Sequence, residues 1–136
     1  MFVLDCSVIM AACFEDEDSA YATRVLESLG HVGAFVPPLW LYEVGNTLLM
    51  AERRKRINPL KRQEYLRAIR SLPIEICSPI DLSDLSEIIS FCQSLNLTFY
   101  DAAYLNLALQ KSLALATLDI RLQEAALKAG ISKYYP

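Results

Sequence analysis

Short apolar runs alternate with longer helical stretches along the whole chain, and this alternation constrains the fold more than any other feature. Residues 2–4, 34–36, 74–77 and 113–117 read as strands, and 131–134 as a possible last one. Between them lie stretches of helical periodicity over 7–14, 39–54, 100–111 and 119–128. The acidic run at 15–18, with Ser19 behind it, reads as a helix start that the helix dipole favours. Its helix carries Ala22, Val25, Leu26 and Leu29 on one face and should stop at Gly30. Asn58 reads as the cap of another helix, with Pro59 at its first position, lasting until Pro73. Asp81 or Ser83 should cap a helix ending near Leu95. Strands that alternate with helices predict an α/β fold: a mainly parallel sheet of four or five strands, with helices on both faces. The crossovers should be right-handed, and ligands should bind beyond the carboxyl ends of the strands.

No linker, repeat or compositional break divides the 136 residues, so residues 1–136 read as one domain with room for a core. Apolar residues make up 54% and charged ones 21%, which excludes a disordered or collagen-like chain. The apolar share is high and hints at a homodimer. No apolar run approaches the ~20 residues of a membrane span. An acid follows only four residues in, so no signal peptide is read, and the expected place is the cytoplasm. Cys6, Cys13, Cys77 and Cys92 lack C-x-x-C spacing and read as reduced, buried thiols.

The chemistry lies in four acids. Asp5 ends the first strand and Asp119 follows the fourth. Glu43 sits near the start of the helix after the second strand, at the same edge. Asp101 opens a helix of about 11 residues, roughly 16 Å long. The strand at 113–117 climbs back by about the same length, which brings Asp101 near Asp119. Four carboxylates together repel, and a hard divalent cation relieves that. Oxygen donors without histidine or cysteine point to Mg²⁺ or Mn²⁺ rather than zinc. Ser7, Asn46 and Thr117 share a face with Asp5, Glu43 and Asp119 respectively, and read as groups that orient the ligands.

Asp5-x-Ser7, then Glu43-x-x-Asn46 after Pro37-Pro38-Leu39, then Tyr100-Asp101-Ala102-x-Tyr104-x-x-Leu107-Ala108, then Thr117-x-Asp119-x-x-Leu122 together resemble a PIN domain. The length, and the early first acid, make the chain similar to VapC-type toxins of toxin–antitoxin pairs. The resemblance covers essentially the whole chain. It implies a three-layer α/β/α fold and an Mg²⁺- or Mn²⁺-dependent endoribonuclease, held in check by a small antitoxin protein. Asp5, Asp101 and Asp119 would hold the ion, directly or through water, and Glu43 would bind the ion or its water. The products would carry 5′-phosphate and 3′-hydroxyl ends. The helix pair over 39–72 fits the clip by which such proteins bind partners.

The net charge of −3 does not oppose an RNA substrate, because removing the four site acids leaves +1. Arg53, Arg54, Lys55 and Arg56 form the only dense basic run; they read as a solvated helix end or as contacts to RNA phosphates or to the antitoxin. Tyr100 and Tyr104 could stack a base, though packing in the core or rim fits them better. Trp40, Leu41 and Tyr42 read as mixed core and partner surface. The single His31, read as a loop residue beside Gly33, leaves no histidine-based ribonuclease mechanism. Two rival functions stand beside the nuclease. A receiver or phosphatase domain lacks its paired acid, since Cys6 follows Asp5 and Ser78-Pro79 follows the third strand. An inactive RNA-binding or adaptor module would also keep the fold.

Overall fold

The computed structural model describes residues 1–14, 19–78 and 80–136. The acidic helix start read at 15–18, and Pro79, lie outside the described residues. The elements, in chain order, are β1 (Phe2–Leu4), α1 (Cys6–Cys13), α2 (Ala20–Val32), β2 (Ala34–Val36), α3 (Leu39–Arg53) and α4 (Pro59–Ser71). Then come β3 (Ile74–Ile76), a 3₁₀ turn (Leu82–Asp84), α5 (Leu85–Leu95), α6 (Phe99–Lys111), β4 (Leu115–Ala116) and α7 (Ile120–Lys128).

The four strands form one sheet, all parallel, in the order β3-β2-β1-β4. Phe2, Val3 and Leu4 are buried on both faces, as a central parallel strand requires. Val3 stands opposite Phe35 on one side and Leu115 on the other. The steps β1 to β2 to β3 run one way across the sheet, and β3 to β4 runs back. With right-handed crossovers, α1–α4 cover one face and α5–α6 the other. The contacts agree: α1 touches α2 and α3, α3 touches α4, and α6 touches α5, α7, β1 and β4. This is the three-layer α/β/α arrangement. The strand order reverses between β1 and β4, and such a switch point opens a crevice at the carboxyl ends of the strands.

Three local expectations change. The segment 131–134 is not a fifth strand; one bridge pairs Leu115 with Lys133. Its hydrogen bonds are Leu115 N–H to Ser132 O and Tyr134 N–H to Leu115 O, at 3.0 and 2.9 Å. Tyr134 instead stacks on Phe2, ring centroids 3.9 Å apart, and accepts a hydrogen bond from the Tyr21 hydroxyl on its carbonyl. Helix α2 passes through Gly30 and ends at Gly33, whose φ of 74° only glycine adopts freely. His31 therefore lies in the last turn of α2, not in a loop. Helix α6 starts one residue early because the Thr98 side chain caps it, accepting the Asp101 N–H at 3.1 Å. Asp101, expected to open the helix, is thus the third residue of α6, and Thr98 is its cap. The cap at Asn58 stands as read, accepting Lys61 N–H at 2.8 Å. All four cysteines are free; Cys6 and Cys92 are buried, while Cys13 and Cys77 are only partly so.

Candidate active site

Asp5 leaves the carboxyl end of β1, and its backbone N–H still pairs with Ala116 O of β4 at 3.0 Å. Its carboxylate is therefore pinned beside the β4 exit. It is buried, and two hydroxyls donate to its Oδ2: Thr117 Oγ1 at 2.7 Å and Ser7 Oγ at 2.5 Å. Each hydroxyl also accepts a backbone N–H from the loop after β4. Thr117 Oγ1 takes that of Asp119 at 3.0 Å, and Ser7 Oγ takes that of Leu118 at 3.1 Å. Ser7 and Thr117 thus tie the ends of β1 and β4 together through one carboxylate. Burial pushes the Asp5 carboxyl up from its ordinary value, and these hydroxyl bonds partly hold it down.

The other three acids come from helix starts. Asp119 caps α7, accepting Arg121 and Leu122 N–H on Oδ1 at 2.8 and 3.1 Å. That leaves its second oxygen outside the cap. Asp101 receives the Thr98 hydroxyl on Oδ2 at 2.7 Å. Glu43, in the second turn of α3, accepts a hydrogen bond from the Tyr104 hydroxyl. Glu43 is pushed up by burial first, held back by the Tyr104 bond, and pushed up further by the charges of Asp5 and Asp101. Tyr104 is itself fully buried, and its hydroxyl is raised well above the usual phenol range.

The four acids line one open cleft of about 380 Å³, together with Cys6, Ser7, Met10, Asn46 and Thr47. Neither a cation nor a histidine is among these lining residues. Thr117 lies just beneath, buried. Arg53, Arg54, Lys55 and Arg56 are exposed at the far end of α3, ten residues and about 15 Å beyond Glu43. Arg56 rests over the Phe14 ring, 4.4 Å from its centroid.

Tyr104 and Thr98 are partners of the acids that were not expected from the sequence. Thr98-x-x-Asp101 carries the capping-box spacing and could have been found that way. Tyr104 gives no such signal, because its partner is 61 residues away. The expectation of rim or core packing for Tyr100 and Tyr104 splits: Tyr104 is core, and Tyr100 is exposed. Trp40 is buried, while Leu41 and Tyr42 face outward.

The donor set suits a hard divalent cation. It is made of carboxylate and hydroxyl oxygens, and the Cys6 thiol, pushed up to about 12 chiefly by burial, stays protonated. Among the described residues, no three acid, histidine or cysteine groups stand close enough to hold one ion between them. Like charges facing one cleft repel, and a hard divalent cation bound there would relieve that repulsion.

The PIN-domain family model matches residues 2–128. The chain belongs to the PIN-domain family. PIN domains are generally metal-dependent nucleases. Among solved structures, this PIN domain is similar to the crystal structure of PAE2754 from Pyrobaculum aerophilum, at a TM-score of 0.69 and 23% identity. The match covers 91% of this chain and 84% of that one, and it shows the shared fold. Curated proteins give no match.

Proposed function

We propose that this PIN domain is an endoribonuclease that hydrolyses RNA phosphodiester bonds with an Mg²⁺ or Mn²⁺ ion, and that it is the toxin of a toxin–antitoxin pair. The observation that carries the nuclease reading is the meeting of Asp5, Glu43, Asp101 and Asp119 around one cleft whose lining holds no cation. Four carboxylates without a counter-charge are costly unless a metal completes them. Asp5, Asp101 and Asp119 would hold the ion, in part through water, and Glu43 would hold it or its water. When bound, such an ion neutralises charge on the scissile phosphate and makes water acidic enough to attack at neutral pH.

The chain's own residues supply position and proton handling. Ser7 and Thr117 take up Oδ2 of Asp5, leaving Oδ1 free of both bonds. Tyr104 holds one Glu43 oxygen, so the other remains for a proton from the attacking water. Glu43 is suited to that step because burial and neighbouring acids raise its affinity for a proton. Asn46 would orient the water or a phosphate oxygen at the cleft wall. The phosphorus–O3′ bond breaks, leaving 5′-phosphate and 3′-hydroxyl ends, as the family resemblance implies.

The toxin role rests on the resemblance in length and motif spacing to VapC-type toxins. A small antitoxin, a homodimer, a cytoplasmic setting and one domain over 1–136 belong to the same proposal. No described helix is long and apolar enough to cross a membrane. The basic end of α3, at Arg53, Arg54, Lys55 and Arg56, would meet RNA phosphates or an acidic stretch of the antitoxin. A second reading, an inactive RNA-binding or adaptor module, draws on the acids standing apart.

The deciding experiment incubates the purified protein, freed of any partner, with total bacterial RNA and Mn²⁺ or Mg²⁺, and maps new 5′ ends. Discrete cuts that need the metal and vanish in Asp101→Asn carry the nuclease reading. Identical faint backgrounds from both proteins would overturn it and favour the adaptor.

A further inference from the structure

A second hollow of about 240 Å³ lies at the same edge of the sheet, and the nuclease reading does not use it. Its walls include Pro38 and Leu39 at the start of α3, and Phe99 and Tyr100 at the start of α6. Those two helix starts also deliver Glu43 and Asp101 to the acid cleft. The two depressions are therefore neighbours along one edge. Asn106 and Gln110, one turn apart on α6, complete the wall.

The lining has a definite chemistry. Among the described residues, none in the lining carries a formal charge, so it suits neither a phosphate nor an ionised side chain. Its surfaces are proline, leucine and aromatic rings, which accept a flat apolar face. The two carboxamides each present a donor and an acceptor side by side. Neither makes a hydrogen bond to another described side chain. The volume falls below the 300–1,000 Å³ usual for drug-sized ligands, and matches one ring system instead. On the other side of Asn106 and Gln110 lies a further hollow, but it includes Asp84 and Glu87, whose charge repels an RNA backbone.

We propose that the hollow between the starts of α3 and α6 is a nucleobase pocket, in which Tyr100 stacks one unpaired base next to the cut and the carboxamides of Asn106 and Gln110 read its edge. The paired donor and acceptor of a carboxamide match adenine best, at its N6 and N7. Unpaired bases stacked on aromatic side chains are the general mode of sequence-specific RNA recognition. Tyr100, 65% exposed despite its size, is free to serve as the platform. The proposal rests on the nuclease reading for the base's place in a substrate, but the pocket's affinity for a base does not need the metal site.

The test uses neutral nucleosides, which carry no phosphate for the acids to repel. The full chain, labelled with ¹⁵N, is titrated with adenosine and separately with uridine, without metal. Adenosine should shift the side-chain amide signals of Asn106 and Gln110 and the backbone signal of Tyr100, saturably. Uridine should bind about tenfold more weakly, the low end for loss of a bidentate base contact. Ala103→Trp fills the hollow and should abolish adenosine binding while the circular dichroism stays native. The double variant Asn106→Ala, Gln110→Ala should keep binding but lose the preference for adenosine. Equal shifts with both nucleosides, or adenosine binding untouched by Ala103→Trp, would overturn the pocket. So would silent titrations in which Ala103→Trp turns a dimer into a monomer on sedimentation, since the hollow would then be a protein contact. Adenosine binding without any metal-dependent RNA cleavage would sink the nuclease and leave the pocket. Cleavage without adenosine binding would do the reverse.

Discussion

Thr117→Val tests whether one buried hydroxyl holds the β1 and β4 ends of the cleft together. Valine has nearly the same shape and deletes two hydrogen bonds at once. One goes to the Asp5 carboxylate at 2.7 Å, the other comes from the Asp119 N–H at 3.0 Å. A bond to a charged acceptor contributes roughly 1.5–3 kcal/mol and a neutral one roughly 0.5–1.5 kcal/mol. Asp5 keeps the Ser7 hydroxyl, and water can reach the half-exposed Asp119, so the lower end applies: about 2 kcal/mol. At roughly 2.1 cal/mol/K per residue, 136 residues give an unfolding entropy near 0.29 kcal/mol/K. The melting temperature of the metal-free protein should then fall by about 7 °C. Thr117→Ser keeps the hydroxyl and loses one buried methyl, costing about 1 kcal/mol and half that shift. The loss in Thr117→Val should also grow with pH. The deleted bond favours the charged carboxylate, so the Asp5 pKa rises further in the variant. Differential scanning calorimetry at pH 4.5 and pH 8 reads both effects. A Thr117→Val protein as stable as Thr117→Ser at pH 8 would refute the reasoning. Titration calorimetry with Mn²⁺ adds a second check: at least tenfold weaker binding in Thr117→Val, with Thr117→Ser within threefold of the parent.

Four further outcomes are expected. Tyr104→Phe should cost about 1 kcal/mol by thermal melting; with the holding bond gone, the acid limb of the pH–rate profile should move to higher pH, and an unmoved limb would remove Tyr104 from the Glu43 assignment. Asp5 and Glu43 bind protons more readily folded than unfolded, so their contribution to metal-free stability is full below about pH 4 and is lost as pH rises through their raised folded values. Asp5→Asn should therefore melt higher than the parent at pH 8 without metal and similarly at pH 4, while binding no Mn²⁺; a lower melting point at pH 8 contradicts the sign. Because the ligands must be ionised, Mn²⁺ affinity should increase from pH 5 to pH 7.5, with proton release seen as buffer-dependent heat. Asn58→Ala removes the cap of α4 and should cost about 1 kcal/mol in denaturant unfolding, with nuclease activity unchanged.

The strand and helix spans were largely legible because parallel strands buried on both faces are short and apolar, and because proline and glycine punctuate them. Asn58-Pro59 marked the start of α4 to the residue. Gly30 misled, since an exposed helix position tolerates a glycine at modest cost, and the positive φ that ends α2 falls at Gly33 instead. The last strand failed because 131–134 meets only the short β4, where two hydrogen bonds make a bridge. Within the site, the acids were legible as ends of elements, and Ser7 and Thr117 as residues two positions from an acid. The strand face expected for them is not the reason they meet: Ser7 lies in the first turn of α1, which opens right after Asp5, and Thr117 lies in the turn between β4 and the Asp119 cap of α7, so each reaches its neighbour through the geometry of an element boundary. The partners of Glu43 and Asp101 divide by distance along the chain. Thr98 is three residues from Asp101, within one turn, whereas Tyr104 meets Glu43 only because α6 and α3 come from opposite layers toward one cleft.

The amino-acid order by itself determined the alternation of strand and helix, the parallel sheet, and the four acids at element boundaries. Each depends on interactions a few residues long: hydrophobic period, capping and turn chemistry. The tertiary structure alone decided the strand order β3-β2-β1-β4 and hence the crevice between β1 and β4. It alone gave Asp5 its burial, brought Tyr104 to Glu43, and set the uncharged hollow beside the acid cleft. Those features depend on how distant surfaces pack, and packing is settled by the burial of the whole core at once rather than by any local pattern.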